Sequence, residues 1–164
     1  VYITRNNHVG LLATEGTVKS QSYDMEIHKL WPDIKVTGQA CPFWVPLVEY
    51  NEADSPGADY FVKKRIDQLL RKDPEIDSII LGCTHFPLLM PKILKYTPPG
   101  ITIVPQGEYV ASKLKDYLRR HPEMETLLTK GGDVKYFSTE NASKFMASAS
   151  IFLHERIKAT HIDL

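Results

Sequence analysis

The sequence predicts an α/β fold, a mostly parallel sheet with helices on both faces. Three observations carry that prediction. The short apolar run at 79–81 suits a strand buried on both sides, 9–13 reads as a buried strand, and 101–104 as another strand. The stretches between them place apolar residues at helical spacing. The two kinds alternate, in the βαβα order that builds parallel sheets.

Residues 1–7 are not assigned to an element. Residues 9–13 form the first strand, and Thr14-Glu15-Gly16-Thr17 turns out of it. Thr17 is placed to cap a helix with Tyr23, Ile27 and Leu30 on one face, ended by Trp31-Pro32-Asp33. A second strand covers 34–37 and extends towards Ala40. Residues 41–49 are apolar and broken by Pro42 and Pro46, which limits helix to a single turn near 45–50. Asp54-Ser55-Pro56-Gly57 leads into a long helix with Phe61 or Val62, Ile66, and Leu69 or Leu70 inward. That helix returns the chain to the strand at 79–81. Gly82 breaks this strand. Pro87 then fits the first turn of a helix, where a missing N–H costs nothing, and Leu89, Ile93 and Tyr96 follow at helical spacing.

Pro98-Pro99-Gly100 turns into a strand over 101–104. Gly107 opens a helix with Val110, Leu114 and Tyr117 on one face. Pro122 starts a short helix or loop to Lys130, and Gly131-Gly132 breaks it. Residues 134–137 form a strand. Thr139-Glu140 caps a helix with Phe145, Ala149 and Phe152 inward, and 159–162 close the chain as a strand.

At 164 residues the chain can build one ordinary core, and 43% hydrophobic residues with a formal net charge of zero describe a soluble globular protein. Neutrality argues against nucleic acid or a membrane surface as partner, since either calls for a basic face. Two Cys without CxxC or Cys/His metal spacing argue against a zinc site and a disulfide framework, and for a reducing, cytoplasmic setting. No apolar run is long enough to span a bilayer, and no signal peptide is visible. The chain opens on Val1 without a Met, as a processed or truncated piece would.

Chemistry concentrates at Cys83-Thr84-His85, where a strand ends and a helix begins. In open α/β sheets ligands bind at the carboxyl ends of strands. Helix N-termini hold anions and favour thiolates. A lone Cys after a strand is more often a small buried hydrophobe, so position alone leaves the role open.

Leu81-Gly82-Cys83-Thr84-His85-Phe86-Pro87-Leu88-Leu89 resembles the LGCTHYPLL signature of glutamate racemases, with Phe86 in place of Tyr. Aspartate racemases of the same superfamily tend to carry Glu where His85 stands. Residues 9–20 resemble that family's IGVIGTxGTIKS segment, and 40–49 its ACPLFVPLVE segment. Gly107 and Glu108 match the Gly and Glu of its SGxE turn, from which Pro105 and Gln106 depart. The family's opening DSGxGG turn and its Cys-Asn-Thr segment, which bears the first catalytic thiol, do not occur in this sequence.

The resemblance therefore implies the second part of a two-domain, pseudo-symmetric racemase. Residues 1–105 would form its second α/β domain, and 106–164 would return to an incomplete first domain. It also implies cofactor-independent interconversion of L- and D-glutamate by two thiols, supplying D-glutamate for peptidoglycan, cell-wall biogenesis and cell shape. The expected partners are glutamate, the missing N-terminal part and a second copy in a dimer. No cofactor or metal is implied.

Two bases on opposite faces of Cα suit racemisation, because one base tends to return the same enantiomer. The resemblance gives Cys83 the base that takes the proton from L-glutamate, assisted by His85. Thr84, His85, Thr14 and Thr17 fall on substrate-binding positions, and Glu49 on a carboxylate near the active site. Read as residues only, Thr14 and Thr17 are helix caps and Glu49 an exposed acid. Cys41 is better read as a small residue closing a strand. Against the racemase stand an aspartate racemase, which His85 disfavours, and a non-catalytic α/β binding module that kept the Cys-Thr-His turn.

Overall fold

A computed structural model describes residues 4–163. One compact unit runs as far as Lys113 and a second begins at Leu114.

The first unit is built on four strands, β1 (His8–Ala13), β2 (Lys35–Ala40), β3 (Ser78–Leu81) and β4 (Thr102–Pro105). They are all parallel, in the order β2-β1-β3-β4. The order reverses at β1: the chain first steps to one side, then crosses back. Crossovers are right-handed, so the two directions put helices on opposite faces. Helices α1 (Glu15–Ser20) and α2 (Ser22–Leu30) follow β1. Helices α3 (Trp44–Glu49) and α4 (Pro56–Lys72) join β2 to β3, and α5 (Met90–Tyr96) joins β3 to β4. Gly10 marks the α4 face, where an added Cβ would meet Leu69 at 2.8 Å. Gly38 marks the other, where a Cβ would meet Val18 of α1 at 3.1 Å.

The α4 face holds the dense core. Leu12, Ile79, Leu81, Ala58, Val62, Ile66, Leu69, Leu89 and Ile93 are all fully buried. Each Leu or Ile there contributes about 1.5–3 kcal/mol. Of the alternatives open in the sequence, Val62 and Leu69 point inward, while Phe61 and Leu70 are half-buried. The α1–α2 face is thinner. Neither helix buries a residue completely, and Leu30, expected inward, is 68% exposed. A hollow of about 90 Å³ lies among Val9, Ile27, Ile34, Ile80 and Val104, which leaves Ile80 half-buried.

Two local expectations are corrected. The helix after β1 starts at Glu15, and its cap is Thr14, not Thr17: Thr14 is extended and its hydroxyl accepts from the Thr17 N–H at 3.3 Å. Glu15 in the first turn and its 2.8 Å pair with Lys19 support the earlier start. Pro87 opens a 3₁₀ turn over Phe86–Leu89, and α5 begins only at Met90. Pro91 has no N–H to give Pro87, so an α-helical ladder cannot run through both prolines.

At the amino-terminal edge of the sheet, Asp73 is buried. His8 Nδ1 lies 2.9 Å from it, Lys35 donates at 3.1 Å and Thr37 at 3.2 Å. Burial pushes the carboxyl up, but hydrogen bonds from His8, Lys35 and the Glu75 N–H outweigh it and hold the pKa at about 2. A folded pKa below the ordinary 3.8 means stability that is present above that value and lost as pH falls towards about 2. In Asp73→Asn the urea midpoint is expected to start lower and to fall less steeply through this window. Parallel curves for the two proteins would contradict the ion-paired assignment.

Helix α6 (Gln106–Arg120) follows β4 and runs across the boundary between the units. Its apolar face is uncovered, with Val110 61%, Leu114 55% and Tyr117 41% exposed. In the second unit α7 (Pro122–Glu125) is followed by β5 (Tyr136–Ser138), α8 (Ala142–Leu153) and β6 (Ala159–His161). β5 and β6 pair in parallel, Tyr136 opposite Ala159. The cap of α8 is Asn141, which accepts from the Lys144 N–H at 3.0 Å, rather than Thr139-Glu140. Phe145, Ala149 and Phe152 are only half-buried, and Ile157 is this unit's one core hydrophobe among the described residues. Two strands with so little core fall short of what stands alone in water. Among the described residues no helix is long and apolar enough to cross a membrane.

Candidate active site

The strand order turns at β1, so the crevice of the sheet opens at the carboxyl ends of β1 and β3. Thr14 follows β1 there, and Cys83 follows β3. The β3 end is tightly set. Gly82 N–H donates to Leu12 O at 2.8 Å. A Cβ at Gly82 would meet Leu11 at 2.9 Å and Ala13 at 3.0 Å, so a side chain would force the two strand ends apart.

The turn after β3 is pinned by Phe86. Its ring is fully buried edge-on to Trp44, centroids 4.7 Å apart. Trp44 opens α3, whose last residue is Glu49. This aromatic pair therefore seats Glu49 beside His85: Glu49 Oε1 lies 2.5 Å from His85 Nε2. The other ring nitrogen, Nδ1, lies 3.9 Å from Cys83 Sγ. With Nε2–H donating to Glu49, Nδ1 is left to accept from the thiol. Thiol, imidazole and carboxylate thus form one chain of contacts, the arrangement by which an oriented base activates a nucleophile or relays a proton.

Cys83 and His85 are half-buried, and Thr84 is exposed beside them. At the end of β1 the hydroxyls of Thr14 and Thr17 lie 2.9 Å apart, both half-buried. Only Thr14 is spent on the helix cap, which leaves the Thr17 hydroxyl with spare capacity. Cys41 is different: it is 1% exposed, its Sγ directs towards Gln39 O at 3.5 Å, and burial pushes its thiol far up. The structure brings Cys83, His85 and Glu49 together. The pairing of Trp44 with Phe86 is not legible in the sequence, although one member of the pair lies in each of the two signature segments.

No protein-family model matches the chain. Curated relatives match it over nearly its whole length: 35% identical over 162 residues in Caldanaerobacter subterraneus, covering 99% of the chain, and 36% over 170 residues in Enterococcus faecalis, covering all of it. Both are glutamate racemases. The chain resembles the glutamate racemases from end to end of its own length. Yet it spans only 60% of either relative. Solved structures agree. The glutamate racemase isoform RacE1 of Bacillus anthracis superposes with a TM-score of 0.87 at 31% identity, over 99% of this chain and 60% of that one. The Escherichia coli glutamate racemase, solved with L-glutamate and the activator UDP-MurNAc-Ala, gives 0.70 at 26% identity, over 98% of this chain and 59% of that one. The α/β fold with its mostly parallel sheet is the fold of these racemases.

Proposed function

We propose that this chain is the part of a cofactor-independent glutamate racemase that carries the base for L-glutamate. The observation that supports it best is the contact chain Cys83–His85–Glu49 at the carboxyl end of β3. In the forward direction the Cys83 thiolate takes the Cα proton of L-glutamate. A second thiol, supplied by a segment outside this chain, gives a proton to the opposite face. In reverse the Cys83 thiol is the donor. The Cα–H is a weak acid, so the carbanion-like transition state needs aimed donors and little water. Thr84, Thr14 and Thr17 supply hydroxyls for the amino acid's polar groups. His85 moves the proton to and from Cys83, and Glu49 holds the ring in the tautomer that can do so.

In this reading residues 1–105 form the second domain of the racemase and 106–164 return to its first. The exposed face of α6 and the thin core of the second unit support it, because both are surfaces that a further domain would cover. The same apolar surface favours a homo-oligomer. The product is D-glutamate for peptidoglycan, made in the cytoplasm.

The test joins the chain to the segment of the Enterococcus faecalis relative that it does not span, and follows L- to D-glutamate conversion. Conversion is expected in this complemented enzyme, and its absence in a well-folded preparation counts against the reading. His85→Asn in the same enzyme is expected to slow turnover by roughly a hundred- to ten-thousand-fold, the worth of one acid–base group. The two directions need not suffer equally, since His85 adjoins only one of the two bases. Negligible loss in both directions would make His85 structural.

A further inference from the structure

One polar residue at the crevice departs from the family's segments and is unused by the chemistry above. Gln106 opens α6 directly after β4. Its Nε2 donates to Leu81 O at 2.8 Å and to Tyr23 OH at 2.8 Å, so both amide hydrogens are spent. Leu81 is the last residue of β3, two before Cys83. Tyr23 lies in the first turn of α2, which follows directly on the Thr14–Thr17 helix. One side chain therefore ties together the start of α6, the end of β3 and the helical crossover from β1.

The end of β3 is held from two sides. Towards β1, Gly82 bonds Leu12 and packs against Leu11 and Ala13 without room to move closer. Towards β4, the register ends at Leu81 opposite Pro105, where the backbone turns into α6. Gln106 adds a side-chain bond to the Leu81 carbonyl at that point. We propose that Gln106 is a positioning residue: its two bonds fix the strand end from which the Cys83 turn departs, and so maintain the approach of Cys83 Sγ to His85 Nδ1. The proposal rests on the racemase reading only in taking Cys83 as the reacting thiol. At 3.9 Å the sulfur–nitrogen contact is near the limit of hydrogen bonding, so a small drift of the turn breaks it.

The experiment measures that contact as a coupling, in the chain itself and without turnover. Iodoacetamide alkylation of Cys83 is followed by peptide mass, in the parent and in His85→Asn. Cys41 is buried and serves as the internal check that the chain stays folded. His85→Asn is expected to slow Cys83 alkylation about tenfold, the size of a direct pairwise coupling. In Gln106→Glu, which keeps the shape but cannot donate, the same substitution is expected to change the rate by less than about twofold. Gln106→Lys, which can donate to both oxygens, is expected to keep the coupling. Tyr23→Phe removes one bond without touching the sheet and should weaken the coupling only in part.

A merely structural glutamine would lower the melting temperature and leave the coupling alone. An equal His85→Asn effect in the parent and in Gln106→Glu, or none in either, overturns the proposal, as does loss of the coupling in Gln106→Lys. Racemisation is not read in this assay. A chain that shows the coupling but never racemises in the complemented enzyme fails the functional reading and leaves the positioning role standing.

Discussion

Cys83→Ala is expected to abolish glutamate racemisation by the complemented enzyme while leaving its far-UV circular dichroism and melting temperature close to the parent's. The thiol is half-buried at the end of β3, touched by His85 and carried on a turn anchored by other side chains. Phe86 and Trp44 hold that turn, and Gly82 seats it against β1. Removing one sulfur from a partly open position costs little packing, so the fold should survive. Activity should not, because Cys83 is the group proposed to take the Cα proton, and His85 reaches its sulfur only as a partner at 3.9 Å. Cys83→Ser keeps the shape with a far weaker acid and should be nearly as inactive. Cys41→Ser supplies the contrast. Its thiol is enclosed and kept protonated by burial, so most of the activity should remain in whatever fraction folds. Full activity in Cys83→Ala would refute the assignment. A loss in Cys41→Ser as deep as that in Cys83→Ala, in a protein that still melts normally, would show that the thiols have been assigned the wrong way round.

The sequence exposed the parts of this fold where local and global signals agree. The runs at 9–13 and 79–81 become central strands, and Val62, Ile66 and Leu69 are inward because α4 packs on both β1 and β2. It was less informative where burial is partial. Tyr23, Ile27 and Leu30 have the right spacing, yet Leu30 is exposed and Ile27 lines an unfilled hollow. Helical spacing gives a face and says nothing about whether anything covers it. Caps lie a few residues from the expected positions for a related reason: Thr14 and Thr17 are the same residue type, Thr139 and Asn141 are both capping types, and the backbone angles choose between them. The site followed the same rule. Cys83 and His85 were legible together because they are two residues apart. The approach of Glu49 across 36 residues depends on the Trp44–Phe86 contact, which no local pattern records.

The chain by itself is expected not to racemise glutamate. A cofactor-free racemase needs an acid and a base on opposite faces of Cα, and this chain offers one good candidate. Cys41, the other thiol, directly follows β2, and Cys83 comes soon after β3, two strands of one parallel sheet. Both thiols therefore stand at the same edge and approach from the same side. Cys41 is also sealed in, with its thiol held protonated by burial. The Asp-Ser-Gly and Cys-Asn-Thr segments of the racemase pattern, absent from this sequence, would leave the amino and carboxylate groups of the substrate short of partners. The uncovered face of α6, with Val110, Leu114 and Tyr117 in water, should drive the isolated chain to self-associate, which sedimentation velocity would detect. The deciding measurement incubates the purified chain with L-glutamate and follows D-glutamate by chiral chromatography. Turnover near the rate of the complemented enzyme, lost on Cys83→Ala, would place a second base within these 164 residues and overturn the two-part reading.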